Sequence, residues 1–539
     1  MLERRKYIAG GNAIEKGEVK LRTEKKMKQR LNNIKSALYG RMIMILLGFV
    51  AQLVMLMLSY RWLSNYNIWF YFLFLLISII AVIHIYNDRS NPDLRLSWML
   101  PIAIFPVFGA IFYITIISRP GTKMMYRKIK KLSEQTKQNV KSGILVRKKL
   151  SAEHPQMGRL AHYLENYDNS PVYINTQAEY YPLGDAQFVA MLEELEKAEK
   201  FIFMEFFIVD MGQMLDKILD VLRRKAKAGV EVRFMCDGTN VLWNIPGQFL
   251  KELEKDGIKC KMFAPIKPIF SPHYNNRDHR KILVIDGKVA FTGGINLADE
   301  YINQKVRFGH WKDTGVMIRG EAVERFTYMF LELWNESEMA TEKYAKYRTP
   351  ADASVSADGY VIPYSVCPLG PERVGERVYL DIIQMAHKYV HIMTPYLILD
   401  HQMMAALTYA AKRGVEVIII MPHIPDKKYA FLLAKTYYNQ LLEAGVKICE
   451  YEPGFVHAKV VVADGDKAVV GTVNMDYRSL YHHFECGAVF YRNSRIVEME
   501  ADVQETLEKC ITITPEDYKK QKLLDRFFGK LMRIFAPLM

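Results

Sequence analysis

Hydrophobic and polar positions divide the chain into two regimes. Stretches 42–60, 68–86 and 98–117 contain no Asp, Glu, Lys or Arg, and only one histidine, His84. Each is 19 or 20 residues long, the length of roughly one bilayer crossing. Buried core helices can also be uncharged, but three such stretches in succession point to membrane embedding. A cleaved signal peptide is excluded, because the first run starts only at Met42 and two more follow it. Pro101, Pro106 and Gly109 interrupt the third, which suits a re-entrant or kinked segment packed against protein. Two crossings and one re-entrant segment would leave residues 1–41 and the C-terminal region on the same, cytoplasmic side.

From about residue 171 short β-rich apolar runs alternate with amphipathic ones. Residues 201–208 form such a run, 214–228 have helical periodicity ended by Gly229, and 230–234 form the next strand. The order recurs at 389–399, at 402–413 ended by Gly414, and at 415–421. Ala226-Lys-Ala-Gly-Val-Glu-Val232 matches Ala411-Lys-Arg-Gly-Val-Glu-Val417. This is an internal duplication, and its alternation predicts an α/β fold of two similar halves. The expected divisions are a basic tail (1–41), a membrane region (42–117), a basic connection with helical stretches (118–170), a first half (171–345) and a second half (346–515). Residues 516–539 then form a basic amphipathic helix. Its Leu523, Leu524, Phe527, Phe528, Leu531, Ile534 and Phe535 share one face, so it either lies in a membrane interface or docks on its own domain.

The net charge of +14 changes meaning once it is located. Residues 1–41 carry +8 and residues 118–150 carry +10, so the rest of the chain is net −4. The basic excess flanks the apolar region, where it attracts anionic headgroups, and the acidic remainder argues against a nucleic-acid partner. The six cysteines are dispersed without a C-x-x-C pair, which disfavours a disulfide framework or zinc ribbon.

The chemistry lies in a motif that occurs twice. His279-Arg-Lys281 with Asp286, Gly293-Gly and Asn296 is matched by His457-Ala-Lys459 with Asp464, Gly471-Thr and Asn474, at identical spacing. The candidate catalytic set is therefore His279, Lys281, Asp286, His457, Lys459 and Asp464. Strand alternation puts each His and Lys on one face and the Asp on the other, so the aspartates fit a scaffolding part. The glycines permit close backbone approach, and Asn296 and Asn474 can offer amide donors. Such a set suits a phosphodiester. Lysines and amides neutralise charge building on the phosphoryl oxygens, one imidazole attacks phosphorus, and the other moves the proton. No metal or other cofactor is called for, because the lysines fill the role of a divalent cation.

The paired motifs resemble the HKD signature of the phospholipase D superfamily. The wider matches are 276–286, Phe291-Thr-Gly-Gly-Ile-Asn296, Trp311-Lys-Asp-Thr314, Thr394-Pro-Tyr396 and Gly471-Thr-Val-Asn-Met-Asp-Tyr-Arg-Ser479 with Phe484-Glu485. Together they resemble bacterial cardiolipin synthases of the phospholipase D type. The resemblance implies two α/β/α halves sharing one metal-independent site in a bacterial plasma-membrane protein. It implies phosphatidyl transfer between two phosphatidylglycerol molecules, giving cardiolipin and glycerol through a histidine adduct. His279 is then the nucleophile and His457 the general acid/base, though the internal symmetry allows the reverse. Asp313 and Glu485 match acidic positions that orient the histidines. His482 and His483 depart from the family pattern and are not expected to be catalytic; the parts of His273 and His310 stay open. Hydrolysis of phospholipid and transfer to another alcohol remain alternatives, and the oligomeric state is left open.

Overall fold

The computed structural model describes residues 67–538 apart from 89–90, 105–108, 111–112, 115–119, 141–142, 266–275, 339–341 and 349–353. The basic tail, segment 42–60 and His273 lie outside the described residues.

The first half is built on a seven-stranded sheet. Its strands are β1 (Thr176–Tyr181), β2 (Phe201–Phe206), β3 (Glu231–Asp237), β4 (Lys259–Phe263), β5 (Lys281–Ile285), β6 (Val289–Gly293) and β7 (Gly315–Gly320). Their spatial order is β1-β7-β6-β5-β2-β3-β4, with β2, β3 and β4 parallel and β5 antiparallel to β2. The second half contains β8 (Tyr360–Val366), β9 (Tyr389–Met393), β10 (Glu416–Pro422), β11 (Lys447–Tyr451), β12 (Val460–Ala463), β13 (Lys467–Gly471), β14 (His483–Tyr491) and β15 (Cys510–Ile513). These run β8-β14-β13-β12-β9-β10-β11-β15. The two orders are the same apart from β15 at one edge, so the duplication read from the sequence is a duplication of topology.

Strand alternation explains how the sheets pack. In β5, Ile282 and Val284 point into a core shared by both sheets, while Leu283 and Ile285 face the first half's outer helices. In β12, Val460 and Val462 join the same shared core, and Val461 and Ala463 face the second half's helices. Both faces are covered, so these strands read as unbroken apolar runs. The helix Val323–Trp334 is buried along its whole length and joins the shared core. The two halves are therefore fused through a common apolar layer.

The helices before the first sheet are α1 (Asn67–Asn87), α2 (Pro92–Ile104), α3 (Pro120–Lys137), α4 (Ile144–Glu153) and α5 (Pro155–Tyr167). Segment 118–170, marked by its charge as a connection, is mostly helical. Leu150, Met157, Leu160 and Leu164 lie in the core of the second half. The lysines form the outer side of these helices, so charge alone hid the buried stripe. Among the described residues no helix is long and apolar enough to cross a membrane.

Candidate active site

Two short parallel pairings between the halves build the site. Arg277–Asp278, just before His279, pairs with His483–Phe484, just before Glu485. Gly454–Val456, just before His457, pairs with His310–Lys312, just before Asp313. The His279 N–H donates to the Phe484 carbonyl at 2.9 Å, and the His457 N–H donates to the Lys312 carbonyl at 2.7 Å. Each histidine is thus placed beside an acid of the other half. His279 Nδ1 lies 2.9 Å from both Glu485 oxygens, and His457 Nδ1 lies 2.6 Å from Asp313 Oδ2. A carboxylate on Nδ1 holds the ring so that Nε2 keeps its lone pair. Neither half could present a correctly held imidazole alone.

The acids are themselves fixed. Ser479 Oγ donates to Glu485 at 2.6 Å, and Thr472 Oγ1 donates to its other oxygen. The Thr314 N–H donates to Asp313 at 2.8 Å. Thr472 of the second motif corresponds to Gly294 of the first, where a Cβ would lie 1.9 Å from Asp313 Oδ1. The glycine at that position is what allows Asp313 to approach.

Both lysines are buried and point along the same side as the histidines. Lys281 Nζ donates to the His279 carbonyl at 2.6 Å, and Lys459 Nζ donates to the His457 carbonyl. Burial pushes Lys281 down to about 8 and Lys459 to about 7, with Lys281's charge adding to the effect on Lys459. Burial and then the charges of Lys281 and Lys459 hold His279 well below the usual imidazole range. His457 is pushed down to about 4 by burial and Lys459, against the opposing pull of Asp313. Both imidazoles are therefore neutral near pH 7, in the state a nucleophile or base requires. Aromatic rings wall the pair: Phe207 is 4.8 Å from the His279 ring, and Tyr301 and Trp311 are 5.4 and 5.5 Å from His457.

The signature aspartates, kept in the candidate set but read from strand alternation as scaffolding, lie away from the paired imidazoles. Asp286 accepts the main-chain N–H groups of Glu199, Lys200 and Phe201 at 2.7–2.8 Å. Asp464 does the same for His387, Lys388 and Tyr389. They sit at the far ends of β5 and β12, where Asp286-Gly287 and Asp464-Gly465 have positive φ and make tight hairpin turns. At about 3.3 Å per residue, the five residues of β5 put Asp286 roughly 16 Å along the strand from Lys281. Distance along the strand, more than the face of the strand, removes the aspartates from the chemistry.

The asparagines differ from each other. Asn296 is committed to the scaffold, its Oδ1 accepting from the Ile208 N–H at 2.8 Å and its Nδ2 donating to Tyr301 Oη at 2.9 Å. Asn474 is held through its main-chain N–H on Ser479 Oγ, at 2.8 Å. His310 is half-buried and contacts Tyr451 Oη at 3.0 Å, away from the paired imidazoles. Sequence reasoning missed Ser479 and Thr472, although both lie in the quoted second motif. It also set aside His483, whose ring lies 5.3 Å from that of His279 and whose buried Nδ1 lies 3.6 Å from Glu485 Oε1. Burial pushes His483 down to about 3, so it is neutral.

Two family models and several known proteins match this chain. The family model described as "Cardiolipin synthase, PLD-like domain" matches residues 191–334 and 379–509, one match for each half. A second model, "Phospholipase_D-nuclease N-terminal", matches residues 76–116. An uncharacterized protein of Streptococcus mutans is 49% identical over 85% of this chain and 99% of its own length. The cardiolipin synthase of Alkalihalophilus pseudofirmus is 33% identical over 86% of this chain and 92% of its own. Among solved structures, the phosphatidylserine synthase of Haemophilus influenzae superposes with a TM-score of 0.53 at 14% identity. That likeness covers 70% of this chain and 98% of the other, and it shows the shared fold.

Proposed function

Because the chain belongs to the phospholipase-D-type cardiolipin synthases, we propose that it joins two phosphatidylglycerol molecules into cardiolipin and releases glycerol. The enzyme is a phosphatidyltransferase. The observation that carries the mechanism is the crossed pairing of His279 with Glu485 and of His457 with Asp313.

In this reading the phosphodiester of the first lipid sits between the two Nε2 atoms, its charge met by Lys281 and Lys459. His279 attacks phosphorus, the bond to the glycerol headgroup breaks, and His457 protonates the departing alkoxide. The incoming anion offsets the lysine charges that depress His457, so its Nε2 takes up a proton from solvent as the substrate binds and holds it for that step. A primary hydroxyl of the second phosphatidylglycerol then gives its proton to His457 and attacks phosphorus. The phosphorus–nitrogen bond breaks and His279 is freed. Asp313 supports His457 as the acid/base, because it opposes the loss of proton affinity there. The lysines supply the charge that a divalent cation could otherwise provide, so no metal or other cofactor enters the scheme.

Residues 42–117 are assigned to the plasma membrane, with the catalytic halves on the cytoplasmic side. The apolar sequence of segments 42–60 and 68–86 supports this. The test uses the purified full chain with phosphatidylglycerol labelled in its headgroup, in detergent with a metal chelator. Cardiolipin and glycerol in equal amounts are expected; phosphatidic acid as the main product would make the enzyme a hydrolase.

A further inference from the structure

The C-terminal helix, Leu523–Phe535, packs against the helix Lys428–Glu443 with the wrong side for an ordinary docked helix. Gly529 is its buried contact, where a Cβ would lie 2.7 Å from the Leu432 carbonyl and 2.8 Å from the Thr436 methyl. Arg533 lies over the Tyr437 ring at 4.4 Å, and Arg526 over Tyr518 at 5.3 Å. Gly529, Met532 and the two arginines thus face the protein. The other large apolar residues face away: Leu523 is 81% exposed, Leu524 65%, Phe527 61% and Phe528 48%. Leu531, Ile534 and Phe535 continue the exposed stripe. At about 100° per residue these seven span an arc of roughly 140°, on the side away from Gly529. A helix meant only to dock would bury that arc.

The stripe is continuous with the exposed side of the N-terminal helices. Ser97 of α2 donates to the Ile534 carbonyl at 3.0 Å. Leu96 and Leu100 of α2 share a cleft of about 430 Å³ with Ile534 and Pro537. Beyond them α1 exposes Trp69, Phe72, Leu76, Ile80 and Ile83. Lys522 and Lys530 are exposed at the start and flank of the stripe, and Lys519 is exposed just before it, while Lys520 pairs with Asp517 at 2.9 Å. Contiguous exposed apolar surface of this extent marks an interaction site, and the basic border selects an anionic partner. Two copies of the chain meeting here would oppose like charges.

We propose that this outward face, together with α1 and α2, docks on an anionic phospholipid bilayer, giving the catalytic halves a second, C-terminal membrane contact. It rests on the reading that the substrate is a bilayer lipid. The contact would fix the second half against the surface from which substrate arrives.

The test has two arms, both on the full chain. In the first, L524E/F528E is compared with the parent on phosphatidylglycerol in vesicles and on a short-chain phosphatidylglycerol below its micellar concentration. Vesicle turnover at limiting substrate is expected to fall about tenfold as apolar contact is replaced by anionic groups, while short-chain turnover stays within about twofold. Unchanged vesicle turnover, an equal loss in both formats, or conversion of a dimer to a monomer with vesicle turnover intact would each overturn the proposal. In the second arm, a nitroxide on F527C reads the contact without reference to catalysis. Collision with oxygen should exceed collision with an aqueous nickel complex on anionic vesicles; the aqueous pattern overturns the proposal. Absence of turnover by the parent in both formats would remove the catalytic reading and leave this arm standing.

Discussion

Replacing Glu485 by Gln isolates the role of an acid that belongs to the other half of the molecule from the histidine it serves. The side chain keeps its shape but loses its charge and half its acceptor capacity. Glu485 accepts from His279 Nδ1 at 2.9 Å, from Ser479 Oγ at 2.6 Å and from Thr472 Oγ1. Ser479 and Thr472 donate to different oxygens of Glu485, so in either orientation the amide costs one hydroxyl its acceptor and sets an NH2 beside Nδ1, which favours the tautomer with the proton on Nε2. That tautomer has no lone pair aimed at phosphorus. The comparable Asp→Asn change in a Ser-His-Asp triad costs about 10⁴ in kcat, equivalent to about 5.5 kcal/mol at 1.36 kcal/mol per decade. We expect E485Q to lower kcat about 10³-fold or more, with KM for phosphatidylglycerol little changed. Release of labelled glycerol measures it, and circular dichroism with thermal unfolding checks the fold. Activity within tenfold of the parent would refute the cross-half orientation of His279.

Three further outcomes follow from the same geometry. Asp286→Ala should destabilise the first half by about 2–4 kcal/mol, since three main-chain N–H groups lose a charged acceptor; turnover per folded molecule should stay within a few-fold, and a loss as large as that of E485Q would return Asp286 to the chemistry. Gly294→Ala puts a Cβ 1.9 Å from Asp313 Oδ1, so it should cost about 10² in kcat by displacing the acid that holds His457, with unchanged dichroism. Burial lowers Lys459 to about 7 and Lys281 to about 8, so both lose their charge as pH rises through those values; kcat/KM, which reports the free enzyme, should fall on the alkaline side from about pH 7, and a flat profile to pH 9 would show that the lysine charges are not needed.

The duplication was legible because each copy kept its spacing, and the identical strand orders follow from it. The histidines and lysines were legible from type and spacing, and the two orienting acids only from the family resemblance. The crossing of the acids between halves was not, because two-residue pairings such as 277–278 with 483–484 leave no periodic signal. Strand parity removed Asp286 and Asp464 from the site, but the structural reason was present as a local signal. Asp-Gly between two apolar runs is a hairpin turn, and a carboxylate at such a turn can gather main-chain donors. In 118–170 the lysine count drew attention to the polar side of α4 and α5, while Leu150, Leu160 and Leu164 marked a buried stripe on the other. His483 was set aside on sequence context, and only the fold brings its ring beside His279.

In the proposed mechanism one site, completed by both halves, passes a phosphatidyl group through His279. Trapping that adduct tests it most directly. His457→Asn removes the acid/base, so with a phosphatidyl ester labelled at phosphorus and carrying a good leaving group as its headgroup the first transfer can occur while the second stalls. An acid-labile adduct with an alkali-stable phosphorus–nitrogen bond is expected, mapped by mass spectrometry to the peptide containing His279 and absent from His279→Asn. An adduct on any other residue, or none in a variant shown to be folded, would contradict it.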